Sequence, residues 1–151
     1  MKLYSRFLYI ALFSIFQVAN SLAQAIDPVI GQWKTIDDKT NTVKSIISIQ
    51  LVNDQLQGTI MKTFPTAGEK PITNCDLCKD QRKGAPLIGM VIMSGLKAQS
   101  PGVWGGGEIL DPKEGEVYKV KITASADGKK LDVRGYIGVP MLGRTQTWIK
   151  E

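Results

Sequence analysis

Residues 43–64 read VKSIISIQLVNDQLQGTIMKTF, and this stretch decides the fold class. Its first half alternates apolar and polar residues, which predicts a strand whose inner face carries Ile47, Ile49 and Leu51. Asn53-Asp54 is a two-residue connection of the kind that joins antiparallel strands. The second half alternates again, with a common face at Leu56, Gly58 and Ile60. We therefore predict a β-hairpin with one buried face.

Short alternating segments separated by turn residues continue on both sides of this hairpin. Residues 116–124 (EVYKVKITA) show the pattern most clearly, with Tyr118, Val120 and Ile122 on the predicted inner face. The predicted strands cover residues 29–35, 43–52, 55–64, 87–96, 102–110, 116–124, 129–137 and 141–150. Closure removes the exposed edges of such a meander, so we predict an all-β, eight-stranded antiparallel up-and-down barrel. A barrel of this size is filled by side chains or holds one small ligand.

A long loop at residues 65–86 interrupts the pattern and contains both cysteines of the chain, Cys75 and Cys78. In an oxidising compartment, cysteines this close form a disulfide, which would tie the loop down. A redox-active pair and a metal site are the alternatives. A redox-active pair favours a βαβ context and a helix N-terminus, and the surrounding sequence predicts neither. A zinc site takes four ligands, and the sequence around the two cysteines does not supply the other two. We expect no metal and no cofactor.

The first 23 residues have the three zones of a secretory signal peptide. Lys2 and Arg6 precede an apolar run at residues 7–18, and small residues allow cleavage after Ala23 or after Ala25. The apolar run is too short to cross a bilayer as a helix, which takes about 20 residues. We therefore expect a single domain at residues 24–151 that is exported to the periplasm and keeps no membrane span after cleavage.

The distribution of charge and the absence of histidine exclude several classes of function. The formal net charge is +5, and the basic residues are spread along the chain, whereas nucleic-acid binding favours a concentrated basic patch. The chain has no histidine, which excludes Ser-His and Cys-His mechanisms. We expect a non-catalytic protein that does not bind nucleic acid.

Several motifs carry a family resemblance. They are Gly31-Gln32-Trp33, Cys75-x-x-Cys78, PLIG at 86–89, WGGGEILDP at 104–112, Tyr118, RGY at 134–136 and GRTQTW at 143–148. In this order they resemble the exported bacterial family called domain of unknown function 2147. The family is uncharacterised, so the resemblance implies location and fold, and it implies no catalytic residues.

The chain also resembles the calycins, the superfamily of lipocalins and fatty-acid-binding proteins. These open with a Gly-x-Trp on the first strand and often carry an arginine on the last strand that packs over the tryptophan. Gly31-x-Trp33 and Arg144 occupy the corresponding places. The resemblance implies a cation–π contact that closes one end of the barrel. The other loop motifs of the lipocalins are absent, which leaves ligand binding open.

The candidate ligand-binding residues are Trp33, Trp104, Tyr118, Arg134 and Arg144. The glycines after Trp104 either let a ligand approach the backbone or permit a sharp bend of the strand. Arg134 is solvated if Leu131 and Val133 point inward, and is an anchor for an anionic ligand if it points inward itself. We expect the barrel to bind a small apolar or amphipathic ligand, or an envelope partner. The alternative is a thiol–disulfide or other envelope enzyme that uses Cys75 and Cys78.

Overall fold

The computed structural model describes residues 26–151, which form eight strands and one turn of 3₁₀ helix. The predicted signal peptide and both cleavage positions lie outside the described residues. The strands are β1 (Gly31–Ile36), β2 (Val43–Val52), β3 (Gln55–Thr63), β4 (Val91–Ser100), β5 (Val103–Asp111), β6 (Glu116–Ala124), β7 (Lys130–Tyr136) and β8 (Arg144–Lys150), and the 3₁₀ helix is Pro140–Leu142. No helix within this part of the chain has the length and hydropathy needed to cross a membrane.

The strands form a closed antiparallel barrel in chain order, which confirms the predicted architecture. The barrel closes between β1 and β8 through only two register pairs, Trp33 with Lys150 and Lys34 with Ile149. Because the strands run up and down, the β2–β3, β4–β5 and β6–β7 connections share one end with the segment that precedes β1. We call this the closed end. The other four connections, including the long loop, share the opposite end, which we call the open end.

The hairpin of β2 and β3 forms as its pattern predicts. Asn53 and Asp54 both have positive φ, 49° and 61°, which suits the right-handed twist of a two-residue hairpin. The inner face of β3 is buried at Leu56, Gly58 and Ile60. Leu51, expected on the inner face, is 49% exposed because it lies beyond the core near the end of β2.

Three strands begin two or more residues later than predicted, because turns occupy their first residues. β1 begins at Gly31, after a turn in which the amide of Ile30 bonds the Asp27 carbonyl. β4 begins at Val91, since Gly89 has a φ of 83° and residues 87–90 form a turn. β8 begins at Arg144, because Pro140 fixes a helical turn just before it.

The glycines after Trp104 form a bulge, which confirms the bend interpretation. The register between β5 and β6 shifts between Gly105 and Gly107, and Gly106 has a φ of 78°. A Cβ at Gly107 would lie 2.3 Å from the Ser94 carbonyl oxygen. These glycines therefore bend β5 and let β4 approach it closely.

A candidate ligand cavity at the open end of the barrel

Trp33 closes the end of the barrel opposite the cavity. Its side chain is fully buried, and its Nε1 donates a hydrogen bond to the Val29 carbonyl at 2.8 Å. The cation over the indole is Lys150, whose Nζ lies 4.5 Å from the ring centroid. The expectation that Arg144 fills this place is wrong, because Arg144 begins β8 at the open end while Lys150 ends it beside Trp33.

Trp104 fills the closed end together with Trp33. Its side chain is buried, and its Nε1 donates to a carboxylate oxygen of Asp27 at 3.1 Å. Asp27 also accepts a hydrogen bond from the Val29 amide, so the segment before β1 is held across this end. Neither tryptophan lines the cavity. Two of the five candidate ligand residues are therefore part of the core.

A cavity of about 800 Å³ occupies the other half of the barrel. Its deep wall is formed by apolar side chains from five strands, namely Ile60, Ile92, Ile109, Val133 and Trp148. Thr35 and Ser45 also line it, and their hydroxyl oxygens lie 2.7 Å apart in a mutual hydrogen bond. No buried side-chain nitrogen or oxygen in residues 26–151 lacks a hydrogen-bond partner. The fully buried polar side chains of the core are therefore all satisfied within the protein.

Charged side chains of both signs surround the mouth of this cavity. They are Lys44, Glu69, Lys70, Asp111, Lys113, Glu114 and Arg144. Most are engaged: Lys113 pairs with Glu69 at 3.0 Å, and Arg144 pairs with Asp38. Lys44 and Lys70 form no ion pair with any carboxylate of residues 26–151.

Tyr118 lines the cavity near its mouth. Its hydroxyl donates a hydrogen bond to Glu114 at 2.9 Å. This bond, together with burial and the charge of nearby carboxylates, raises the pKa of Tyr118 to about 12. The phenol therefore stays neutral across the physiological range and keeps Glu114 engaged.

Arg134 lies on the outer surface, on the opposite face from the buried Leu131 and Val133. Its guanidinium donates to the carbonyl oxygens of Pro140 and Met141 at 2.6 and 3.2 Å, and to the Thr145 hydroxyl at 2.8 Å. Arg134 does not line the cavity, and it stabilises the connection between β7 and β8 instead.

The long loop carries the predicted disulfide. Cys75 and Cys78 are bonded, with their Cα atoms 5.4 Å apart, and they are 0% and 1% exposed. The loop packs on the β5–β6 connection: a Cβ at Gly115 would lie 2.0 Å from the Leu77 carbonyl oxygen, and Lys79 pairs with Glu116. The disulfide thus holds one wall of the cavity mouth in place.

The family model described as uncharacterized protein conserved in bacteria (DUF2147) matches residues 31–150. The chain belongs to this family. The DUF2147 match spans β1 to β8, and so the cavity and the disulfide loop both lie within it.

One solved structure similar to this DUF2147 chain is described as protein HP1028 from Helicobacter pylori, a member of the lipocalin family. The TM-score is 0.68 at 18% sequence identity, over 81% of this chain and 82% of the other. At that identity the likeness shows a shared lipocalin-like fold. No curated protein matches the chain.

Sequence reasoning missed most of the cavity wall of this DUF2147 member. Of the candidate residues, the structure brings Tyr118 and Arg144 to the cavity, and it places Trp33, Trp104 and Arg134 elsewhere. Trp148 was detectable, because it alternates with Gln146 and Arg144 and all three face the cavity from β8. Ile60 and Ile109 look like ordinary core residues in the sequence. Within residues 26–151, no cluster of three metal-binding side chains occurs.

Proposed function

We propose that the protein binds one small amphipathic molecule in the open-end cavity, with its apolar part inside the barrel and an anionic group at the mouth, and that it catalyses no reaction. The observation that carries this proposal is the cavity itself. Its volume of about 800 Å³ falls within the range of small-molecule sites, about 300–1,000 Å³.

The cavity wall supports an apolar ligand body. Ile109 is only partly buried although it packs against the core, because its side chain lines the cavity. Ile60, Val133 and Trp148 surround the same space, and Thr35 and Ser45 satisfy each other. A ligand that removes this surface from water gains about 25 cal/mol per Å² of apolar area.

The mouth supports an anionic group on that ligand. Lys113 and Arg144 have carboxylate partners, and Glu114 is engaged by Tyr118. Lys44 and Lys70 are the rim cations that form no ion pair within the described residues. A carboxylate or sulfonate at the mouth would form an ion pair with one of these two lysines.

The disulfide supports a structural role for the cysteines over the redox alternative. Thiol–disulfide exchange requires a thiolate to reach one sulfur of the bond. Both cysteines are buried between the long loop and the β5–β6 connection, and the Cys75 sulfur lies 3.7 Å from the Pro112 carbonyl oxygen. We therefore assign the pair to holding the cavity mouth.

Export to the periplasm is part of the proposal. The N-terminal zones of residues 1–23 have the pattern of a signal peptide, and a disulfide persists in an oxidising compartment. Mass spectrometry of the protein recovered from the periplasmic fraction should show a new N-terminus at Gln24 or Ile26. An intact N-terminus, or recovery from the cytoplasm alone, would contradict export.

The binding test uses anilinonaphthalene sulfonate, an apolar anionic dye that fluoresces when shielded from water. The wild-type protein should enhance its fluorescence saturably. Gly135→Leu adds a side chain inside the cavity beside Tyr118 and Ile109, and should abolish the enhancement. Thr123→Leu adds volume on the outer face of β6 and is the matched control. Equal enhancement by both variants would contradict binding in the cavity.

The head-group preference is tested by competition among three chains of equal length. Dodecanoate should displace the dye at lower concentration than either dodecanol or dodecyltrimethylammonium. The double variant Lys44→Gln/Lys70→Gln should remove the preference for dodecanoate. An unchanged ranking in that variant would contradict the role of the two lysines while leaving the apolar site intact.

A further inference from the structure

The connection between β7 and β8 is an apolar protrusion at the cavity mouth. Residues 135–143 read GYIGVPMLG and contain no charged side chain. Met141 and Leu142 are 85% and 81% exposed, and Ile137 and Val139 are at least half exposed. Four such side chains in six residues form a contiguous exposed apolar surface, which in a soluble domain marks an interaction site.

The loop that carries these exposed side chains is held in a defined conformation. Arg134 bonds the carbonyl oxygens of Pro140 and Met141 from the outer face of β7. Gly143 packs so closely that a Cβ there would lie 2.5 Å from the Gly135 carbonyl oxygen. The loop is thus fixed on the barrel with Val139 and Met141 directed away from the cavity, while Ile137 and Leu142 border its mouth and stay exposed.

The protrusion is continuous with the cavity. Ile137 and Leu142 line the cavity and are also exposed, so apolar surface runs without a break from the interior to the outside. Arginines flank the protrusion on both sides, Arg134 before it and Arg144 after it. Tyr136, next to the apolar residues, has the amphipathic side chain that favours a boundary between apolar and aqueous surroundings.

We infer that the 137–142 loop inserts into the surface of a lipid bilayer and holds the cavity mouth against it. A stable protein interface takes about 20–30 residues on each side, many with polar partners, and this protrusion offers six residues with no polar side chain. A bilayer surface needs no complementary shape and accepts apolar side chains without polar partners. The contact is peripheral and reversible, and it stands whether or not the cavity holds a ligand.

The test is sedimentation with phosphatidylcholine vesicles, using processed protein whose N-terminus has been verified, so that no leader contributes. Wild-type protein should partition onto the vesicles. Val139→Ser/Met141→Ser changes two exposed residues that do not line the cavity, and should weaken partitioning at least about tenfold, because apolar area supplies the affinity. Met141→Ser alone should give an intermediate loss. The control Leu51→Ser/Val52→Ser removes two exposed apolar residues near the opposite end and should partition like wild type.

Dye binding without vesicles separates this inference from the proposed ligand site. Val139→Ser/Met141→Ser should bind anilinonaphthalene sulfonate like wild type, which also shows that the barrel is folded. The inference is overturned if wild-type protein stays in solution when the vesicles sediment. It is also overturned if Leu51→Ser/Val52→Ser loses as much vesicle binding as Val139→Ser/Met141→Ser. A concentration-dependent dimer abolished by Val139→Ser/Met141→Ser also overturns it, since a second copy of the chain would then cover the loop.

Discussion

The ammonium nitrogen of Lys150 lies 4.5 Å above the Trp33 indole, and the two residues face each other across the only paired stretch of β1 and β8. Lys150 also donates hydrogen bonds to the carbonyl oxygens of Pro28 and Ile30, at 2.9 and 2.8 Å. Gly31 leaves room for this approach, because a Cβ there would crowd the end of the lysine side chain at 3.1 Å. The Gly-x-Trp motif therefore leaves room for a cation to close the barrel.

Lys150→Met is expected to destabilise the barrel by about 2–3 kcal/mol. The change removes a cation–π contact and leaves two backbone carbonyl groups without their charged donor. Lys130→Met, on an exposed site of the neighbouring strand, is the control and should change stability by less than about 0.5 kcal/mol. Urea unfolding followed by tryptophan fluorescence measures both. Equal free energies of unfolding for the two variants would show that the Lys150 contacts make no net contribution to stability.

Gly115→Ala should detach the disulfide loop from the β5–β6 connection. The new Cβ would lie 2.0 Å from the Leu77 carbonyl oxygen, so the loop must move. Gly84→Ala is a close control, because its φ of 73° nearly equals the 71° of Gly115 and it has open space around it. We expect an extra loss of about 1–3 kcal/mol for Gly115→Ala over the control, with faster amide exchange in residues 65–86. Equal rates of amide exchange in residues 65–86 of the two variants would contradict the packing of the loop on the β5–β6 connection.

Removal of the disulfide by Cys75→Ala/Cys78→Ala should lower the free energy of unfolding by about 2 kcal/mol, as expected for the closure of a very short loop. In the wild-type protein the bond should resist dithiothreitol until denaturant is added, since both cysteines are buried. Mass spectrometry after alkylation measures this. Rapid reduction of the native protein would restore the redox alternative.

Tyr118 should titrate near pH 12, about two units above an unperturbed tyrosine. Because the folded state holds this proton more tightly, the stability it contributes is fully present below about pH 10 and is lost as the pH rises through about 12. Glu114→Ala should bring the pKa down toward 10, since it removes the acceptor and its charge. Ring carbon shifts of Tyr118 in nuclear magnetic resonance report the titration, and Glu108→Ala serves as the control. A Tyr118 midpoint near 10 in the wild type would contradict the Glu114 hydrogen bond.

Strand alternation predicted the inward face of the barrel correctly where a strand runs through the core. Val120 and Ile122 are fully buried, and Leu131 and Val133 oppose Arg134 as expected. The pattern failed at strand starts such as Leu87, because a buried turn residue and a buried strand residue are equally apolar in sequence. Periodicity reports which side chains avoid water, and it does not report which backbone bonds they make.

The amino-acid sequence by itself determined the class of fold, the disulfide and the family, because these depend on local alternation, on close cysteines and on the order of motifs. Only the tertiary structure decided which end of the barrel is filled and which is open. Trp33 and Tyr118 both occupy inner faces, yet Trp33 lies beneath Lys150 at the closed end and Tyr118 borders a cavity at the open end. The height of a residue within the barrel depends on how neighbouring strands are staggered, and that stagger is a property of long-range pairing that no local pattern contains.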